Sequence, residues 1–280
     1  MDILNLINLL DWGRKVWNII KRKCPTPEKR RKELIRKVNK NIKILRDVDL
    51  GLQCMAIKEL EQLTKDKYID ESLKEIICIS LCQYLSVNPK SSLAFDVLFK
   101  RGRVFVTMQK EIKDTNFVEL KLSGSYKIEN VRFENCDFVG CCFHNIQFMN
   151  CYFTGGKITG CDFKDDIKWR RCHFRNVQMD NLYFRHTIFN FVTIHGGTFM
   201  SSTILRSDLN DFTILHSEMN NIVFEICKFQ MEGFFLCQMN KVRFKFKNSE
   251  NDALENMQEH LVNIGCYPFV ERSSMTITVE

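Results

Sequence analysis

The residues able to do chemistry in this 280-residue chain are mainly thiols, 13 cysteines in all, together with six histidines. Cys136, Cys141, Cys151 and Cys161 follow one another at multiples of five, and Cys172, Cys227 and Cys237 continue the series after one slip. Stacked inward, such thiols could form a metal or redox ladder. Zinc, however, needs four donors converging tetrahedrally, whereas equal spacing spreads these thiols over different faces with no C-x-x-C pair among them. They read instead as small, polarizable core residues. Cys142, immediately before a repeat centre, should point outward. His144, His173, His186, His195 and His216 share no repeated offset, as a metal site on one face would require. No Ser/His/Asp order, carboxylate pair or phosphate-cradling glycine loop accompanies them. Cys78 and Cys82, one helical turn apart, leave open an enzyme or redox site in the N-terminal region, without His or acidic partners at a recognisable spacing. The expectation is a protein that is not an enzyme and carries no cofactor or metal.

The element that positions most of these residues is a repeat. From about residue 126 a bulky apolar side chain recurs at every fifth position. Phe133, Phe138, Phe143, Phe148, Phe153 and Phe163 form the first block, and one residue is then inserted within 164–166. Trp169, Phe174, Phe184, Phe189, Phe199, Phe224, Phe229 and Phe244 continue it, with Ile, Leu and Met at other centres. Two residues ahead of each centre runs a smaller stripe, to which the seven cysteines belong together with Val131, Val177, Ser202, Ser207 and Ser217. A period of five matches neither the 3.6 of a helix nor a long two-residue alternation, so each quintet is a short strand plus a corner. Two inward residues per quintet fill a narrow solenoid, leaving three outer positions and no central cleft. The doublets Gly155-Gly156 and Gly196-Gly197 read as tight corners, and Glu232 at a small position as a bulged coil.

Segments such as Cys136-Asp137-Phe138, Cys161-Asp162-Phe163 and Ser207-Asp208-Leu209 resemble the pentapeptide-repeat family, over roughly residues 126–246. The resemblance implies an α+β chain. An N-terminal helical domain would precede a right-handed quadrilateral parallel β-helix, with a C-terminal capping helix after it. With four quintets per coil, the 24 centres make about six coils. The expected division is 1–23 as an amphipathic helix, 24–110 as a helical domain, 111–247 as the β-helix and 248–280 as cap and terminal strand. Arg46 to Leu63 is similar to the helical segment that precedes such repeats in many bacterial proteins.

The flanks carry their own signals. Ile35, Val38, Ile42 and Leu45, and further stripes through Leu60 and Leu81, repeat at helical spacing. Ile3, Leu6, Ile7, Leu10, Trp17 and Ile20 form one apolar stripe, and from Arg14 to Arg46 there are 14 Lys or Arg against Glu28 and Glu33. Two readings stay open: an interfacial anchor on an anionic membrane surface, or a helix packed on its own domain. Ser249 with Asp252 resembles a capping box, Leu254, Met257 and Leu261 form a stripe, and Gly265 ends the helix. Met275, Ile277 and Val279 alternate as a terminal strand, and a homodimer through this tail stays open.

With 45% hydrophobic and 27% charged residues the chain is too apolar to be disordered. It has no uncharged apolar run of 18, and residues 1–12, with Asp2 and Asp11 and no basic leader or small-residue cleavage site, do not read as a secretory signal. An odd number of thiols in a large chain suits a reduced, cytoplasmic protein, with peripheral attachment at the inner face of the membrane left open. A filled solenoid acts through its outer faces, so the leading expectation is a noncatalytic interaction or scaffold protein with an unidentified protein partner. Lys168, Arg170, Arg171 and Arg175 are the candidate patch; the alternative is a solvated, salt-bridged face. Some pentapeptide-repeat proteins mimic DNA and bind type II topoisomerases, protecting them from inhibitors, and the resemblance brings that role here as the rival. It needs an acidic surface, yet residues 126–246 hold 14 Lys or Arg and 12 Asp or Glu. Nucleic acid is not an expected partner, because no recognition motif accompanies the basic run.

Overall fold

A computed structural model describes residues 26–100, 104–105, 108–229, 233–247 and 249–280. The candidate anchor residues Ile3, Leu6, Ile7, Leu10, Trp17 and Ile20, and the charge at Glu232, lie outside the described residues. The chain divides into two compact units, Met1–Ile77 and Cys78–Glu280.

The first unit holds α1 (Pro27–Ile44), α2 (Leu50–Leu63) and the opening turns of α3 (Glu71–Val87). Thr26 caps α1, its hydroxyl accepting from the Lys29 amide at 3.3 Å, with Pro27 in the first turn where a missing N–H costs nothing. Asp49 caps α2, accepting from Gly51 N at 2.7 Å and Leu52 N at 3.1 Å. Leu34 and Val38 of α1 and Ala56, Ile57 and Leu60 of α2 are buried. Arg30 reaches Asp66 at 2.9 Å and Arg31 reaches Asp70 at 2.6 Å, which tie α1 to the segment after α2. Asp70 also accepts from Leu73 N at 2.9 Å; that bond, the Ser72 hydroxyl and Arg31 hold its carboxyl down at about 2.

The second unit contains the rest of α3, then α4 (Ser92–Phe99), and then a parallel solenoid of about seven turns. Strand pairing resolves it into four faces. Ile112, Phe133, Phe153, Phe174, Ile194, Ile214 and Phe234 stack on the first. Phe117, Phe138, Ile158, Met179, Phe199, Met219 and Met239 stack on the second. Leu122, Phe143, Phe163, Phe184, Ile204, Phe224 and Phe244 stack on the third. Ile128, Phe148, Trp169, Phe189, Leu209 and Phe229 stack on the fourth. Rings in one column lie face to face: Phe163 and Phe184 are 4.8 Å apart at 8°, and Phe148 and Trp169 4.0 Å apart at 7°. Phe229, near the end of its column, is only half-buried.

The repeat begins one turn before the five-residue pattern becomes visible, at β1 (Lys110–Lys113), and makes about seven turns, close to the expected six. Two features hide that turn. Leu122 and Ile128 are six residues apart, because β3 (Lys121–Glu129) shifts register between Ser123 and Tyr126 beside Gly124 at φ +110°. In addition, a lysine, Lys110, takes the small inward position, aligned with Val131.

Every corner needs a left-handed residue, which explains the Asn, Asp and Gly that punctuate the repeat: Asn130, Asn135, Asn145, Asn150, Asn176 and Asn181 all have φ between 51° and 55°. The inserted residue is absorbed by two such residues in succession, Asp165 and Asp166. The small stripe has a bonding role as well as a steric one. Each of its thiols donates to the carbonyl of a large inward residue of the preceding turn, as Cys136 does to Ile112 O at 3.3 Å and Cys151 to Ile128 O at 3.2 Å. Cys141, Cys161, Cys172, Cys227 and Cys237 repeat the contact at 3.2–3.5 Å, so carbonyls at the corners are not left bare.

Both ends of the solenoid are covered. At the start, Phe95 of α4 meets Phe117 edge-on at 6.4 Å, and the Tyr126 hydroxyl donates to Asp96. At the other end, β22 (Thr276–Val279) pairs antiparallel with β20 (Val242–Lys245) and with β21 (Phe269–Glu271), covering the last edge strand. Helix α5 (Asn251–Asn263) buries Leu254, Met257 and Leu261. Its cap is Glu250 with no side-chain bond, so the Ser249–Asp252 capping box does not form; Gly265 at φ +85° ends the turn.

Candidate interaction surface

The solenoid interior is filled by side chains: a central void of about 20 Å³ is lined by Phe163, Trp169, Phe184 and other apolar side chains. Chemistry is therefore left to the outer positions. Strand β10 (Lys168–Asp180) runs from the fourth face through the first to the second, turning at corners formed by Arg171 and Asn176, both at φ 53°. Lys168 and Arg170 flank Trp169 on the fourth face, while His173 and Arg175 flank Phe174 on the first. All four cations are exposed, and among the described residues no carboxylate lies within ion-pairing distance of any of them. Some cations elsewhere on the solenoid are paired, as Lys113 with Glu134 at 2.9 Å and Lys164 with Asp162 at 2.7 Å, while others, such as Arg185 and Arg206, stand singly without an ion pair among the described residues. The expected salt-bridged alternative for this patch therefore finds no partners among the described residues.

Two aromatics border the cations. Phe191 occupies the corner one turn beyond Arg171, 53% exposed and at φ 55°, a conformation in which an Asn or Gly would sit without strain. Tyr152, 47% exposed, stacks on His173 with centroids 5.0 Å apart at 20°. Beside it, Gln109, Asn130, Arg132, Asn150 and Tyr152 line a cleft of about 310 Å³. Guanidinium forks and exposed rings on one edge suit a partner offering carboxylates and apolar surface. Sequence reasoning found the cations and missed the aromatics. The available signal was a bulky residue at a corner where Asn and Gly recur.

The buried thiols are poorly suited to reaction. Burial pushes the Cys136 thiol up to about 11 and Cys227 to about 12, and raises Cys151 as well. Cys142 is half-buried, and His144 lies 3.4 Å from Asp165. His195 and His216 are 5.5 Å apart at one edge. Among the described residues no group of three or more His, Cys, Asp or Glu converges as a metal site, and no helix is long and apolar enough to cross a membrane.

A second recess lies at the base of this unit. Cys78, Cys82, Gln83, Ser86, Gln109 and Lys110 line a cleft of about 400 Å³. Lys110 is only 2% exposed, and its ammonium donates to Met108 O at 2.6 Å and Glu129 O at 3.0 Å. The sequence pairs Cys78 with Cys82 but does not bring Lys110 to them.

A family model described as pentapeptide repeats matches residues 127–165 in eight copies. No curated protein matches the chain. Among solved structures it is similar to QnrB1, a plasmid-mediated fluoroquinolone resistance protein. One trypsin-treated variant is 20% identical over 44% of this chain and 66% of that one, with a TM-score of 0.34. A second trypsin-treated variant is 16% identical over 50% and 70%, with a TM-score of 0.22, and full-length QnrB1 is 14% identical over 53% and 98%, at 0.16. The match thus spans just under two thirds of the first of these structures.

Proposed function

We propose that this chain, a pentapeptide-repeat protein, is a noncatalytic interaction protein that holds an acidic protein partner on the edge formed by Lys168, Arg170, Arg171 and Arg175. The observation that carries the reading is the grouping of four exposed cations without an ion-pairing carboxylate among the described residues, bordered by Phe191 and the Tyr152–His173 stack. Unpaired guanidinium groups retain their donors for a partner carboxylate, and exposed rings add apolar area at the same place. Residues 1–23 supply the attachment to an anionic membrane surface, and the C-terminal tail the contact between two copies. The test is capture of partners from a bacterial lysate on the folded full-length protein, beside its Arg170→Ala, Arg171→Ala, Arg175→Ala variant. A partner lost from the variant, and released from the native protein by a few tenths molar salt, supports the reading. Type II topoisomerase subunits retained equally by both proteins would replace it with the DNA-mimic reading.

A further inference from the structure

Three pairs of cysteines interact electrostatically: Cys141 with Cys161, Cys151 with Cys172, and Cys78 with Cys82. The first two pairs stand inside the solenoid, where each thiol donates to a carbonyl oxygen of the preceding turn. The third pair lies on a helix instead. Cys78 and Cys82 are four residues apart on α3, project from the same side of that helix, and open onto the cleft of about 400 Å³ that they share with Lys110. We propose that Cys78 and Cys82 form a two-coordinate site for monovalent copper, with the Lys110 ammonium as the counter-charge.

Donor number, softness and charge lead to this metal. Two thiol sulfurs on one side of a helix offer a soft pair of ligands, the class that selects Cu(I). Zinc would require two more donors. The carboxylate at the rim, Glu111, is engaged with Lys113 at 3.3 Å, and no larger ligand group exists among the described residues. Binding converts Cu⁺ and two thiols into a bis-thiolate complex of charge −1 and releases two protons; no electron is transferred. That negative charge forms beside a cation whose hydrogens are directed at the Met108 and Glu129 carbonyls. Lysine departs from the pattern of this column, whose aligned positions in later turns are Val131, Cys151, Cys172 and Val192.

The test is an anaerobic titration of the reduced full-length protein with Cu(I) against a chromogenic competitor. One tightly held equivalent is expected, lost in Cys78→Ser and in Cys82→Ser and retained in Cys151→Ser, with circular dichroism confirming that each variant is folded. Lys110→Met should weaken the site by about tenfold, a plausible effect for one nearby charge at moderate dielectric. The native protein alone provides a second readout: bound copper should protect Cys78 and Cys82 from alkylation mapped by mass spectrometry. Unchanged affinity in the Cys78→Ser, Cys82→Ser double variant overturns the proposal, as does alkylation of these two thiols that copper leaves unaltered. More than two sulfur scatterers in the X-ray absorption spectrum would overturn it as well.

Discussion

Gly196 and Gly197 are adjacent, both left-handed and chemically identical, yet replacing each with alanine should have very different consequences. Gly197 (φ +82°) lies at a small inward position, where a Cβ would stand 2.2 Å from Val177 O and 2.8 Å from Val177 N. Both atoms are backbone of the preceding turn and cannot rotate away. Restoring ordinary contact requires the two turns to separate by about 1 Å, which takes inter-turn bonds such as Asn181 N to Met200 O, now 3.1 Å, out of range. Two or three such bonds at about 1 kcal/mol each, with about 1–2 kcal/mol for alanine in a left-handed conformation, total about 3–5 kcal/mol. Gly196 (φ +68°) is a corner. Its Cβ would meet only the Asn176 Oδ1, at 2.4 Å, a side-chain atom free to turn, and Asn176 and His216 bear side chains at equivalent corners with φ 53° and 48°. The left-handed cost of about 1 kcal/mol is partly offset by the lower entropy of the unfolded alanine chain, leaving about 0–1 kcal/mol. Thermal melts followed by circular dichroism separate the two cases. At about 2–4 °C per kcal/mol, Gly197→Ala should lower Tm by roughly 6–20 °C and Gly196→Ala by less than about 4 °C. Gly156 and Gly155 repeat the contrast, at 2.2 Å from Cys136 O and 2.6 Å from Asn135 Oδ1. Equal losses in the two alanine variants would refute the argument, as would a Gly197→Ala cost below about 1 kcal/mol.

Trp169 is buried with its indole N–H unpartnered, so Trp169→Phe should exchange a lost ring for about 1–3 kcal/mol recovered from an orphan donor; urea unfolding should show a change within about 1 kcal/mol, and a loss above about 3 would contradict this. Burial, with the Asp96 contact second, pushes Tyr126 up to about 12. The folded value is raised above that of the unfolded chain, so the contribution of Tyr126 to stability is complete below about pH 10 and is lost as pH climbs towards 12. Tyr126→Phe should flatten that part of the urea-midpoint profile, and an identical slope in both proteins would argue against it. If residues 1–23 bind membrane, the full chain should co-sediment with vesicles rich in anionic lipid and a chain beginning at Glu28 should do so markedly less; equal sedimentation would place the affinity elsewhere.

The inward columns were legible because burial constrains them. Phe143, Phe163, Phe184 and Phe224 must share a column that admits only large apolar side chains, so their identity repeats and the period is visible. The five-residue pattern itself is missing from the first turn because Lys110 breaks the small stripe and the extra residue near Gly124 breaks the spacing, both at the end where α4 rather than another turn covers the core. Corners were legible in principle, through their Asn and Gly residues. The outer surface was not, for a geometric reason. Lys168 and Arg175 are separated by a corner, whereas Arg171 and Phe191 are sequence-distant neighbours along one edge, and adjacency across turns depends on coil length as much as on residue type. The insertion at Asp165 and Asp166 lengthens one turn to 21 residues but is absorbed at the corner, so the columns on either side stay in register, Phe143 with Phe163 and Phe148 with Trp169. Removing Asp166 should therefore heal the bulge, leaving Trp169 under Phe148 and Arg171 at its corner, so a folded deletion variant should keep the partner that the Arg170, Arg171, Arg175 variant loses. Loss of that partner from the folded deletion variant would contradict this and show that the bulge itself shapes the edge.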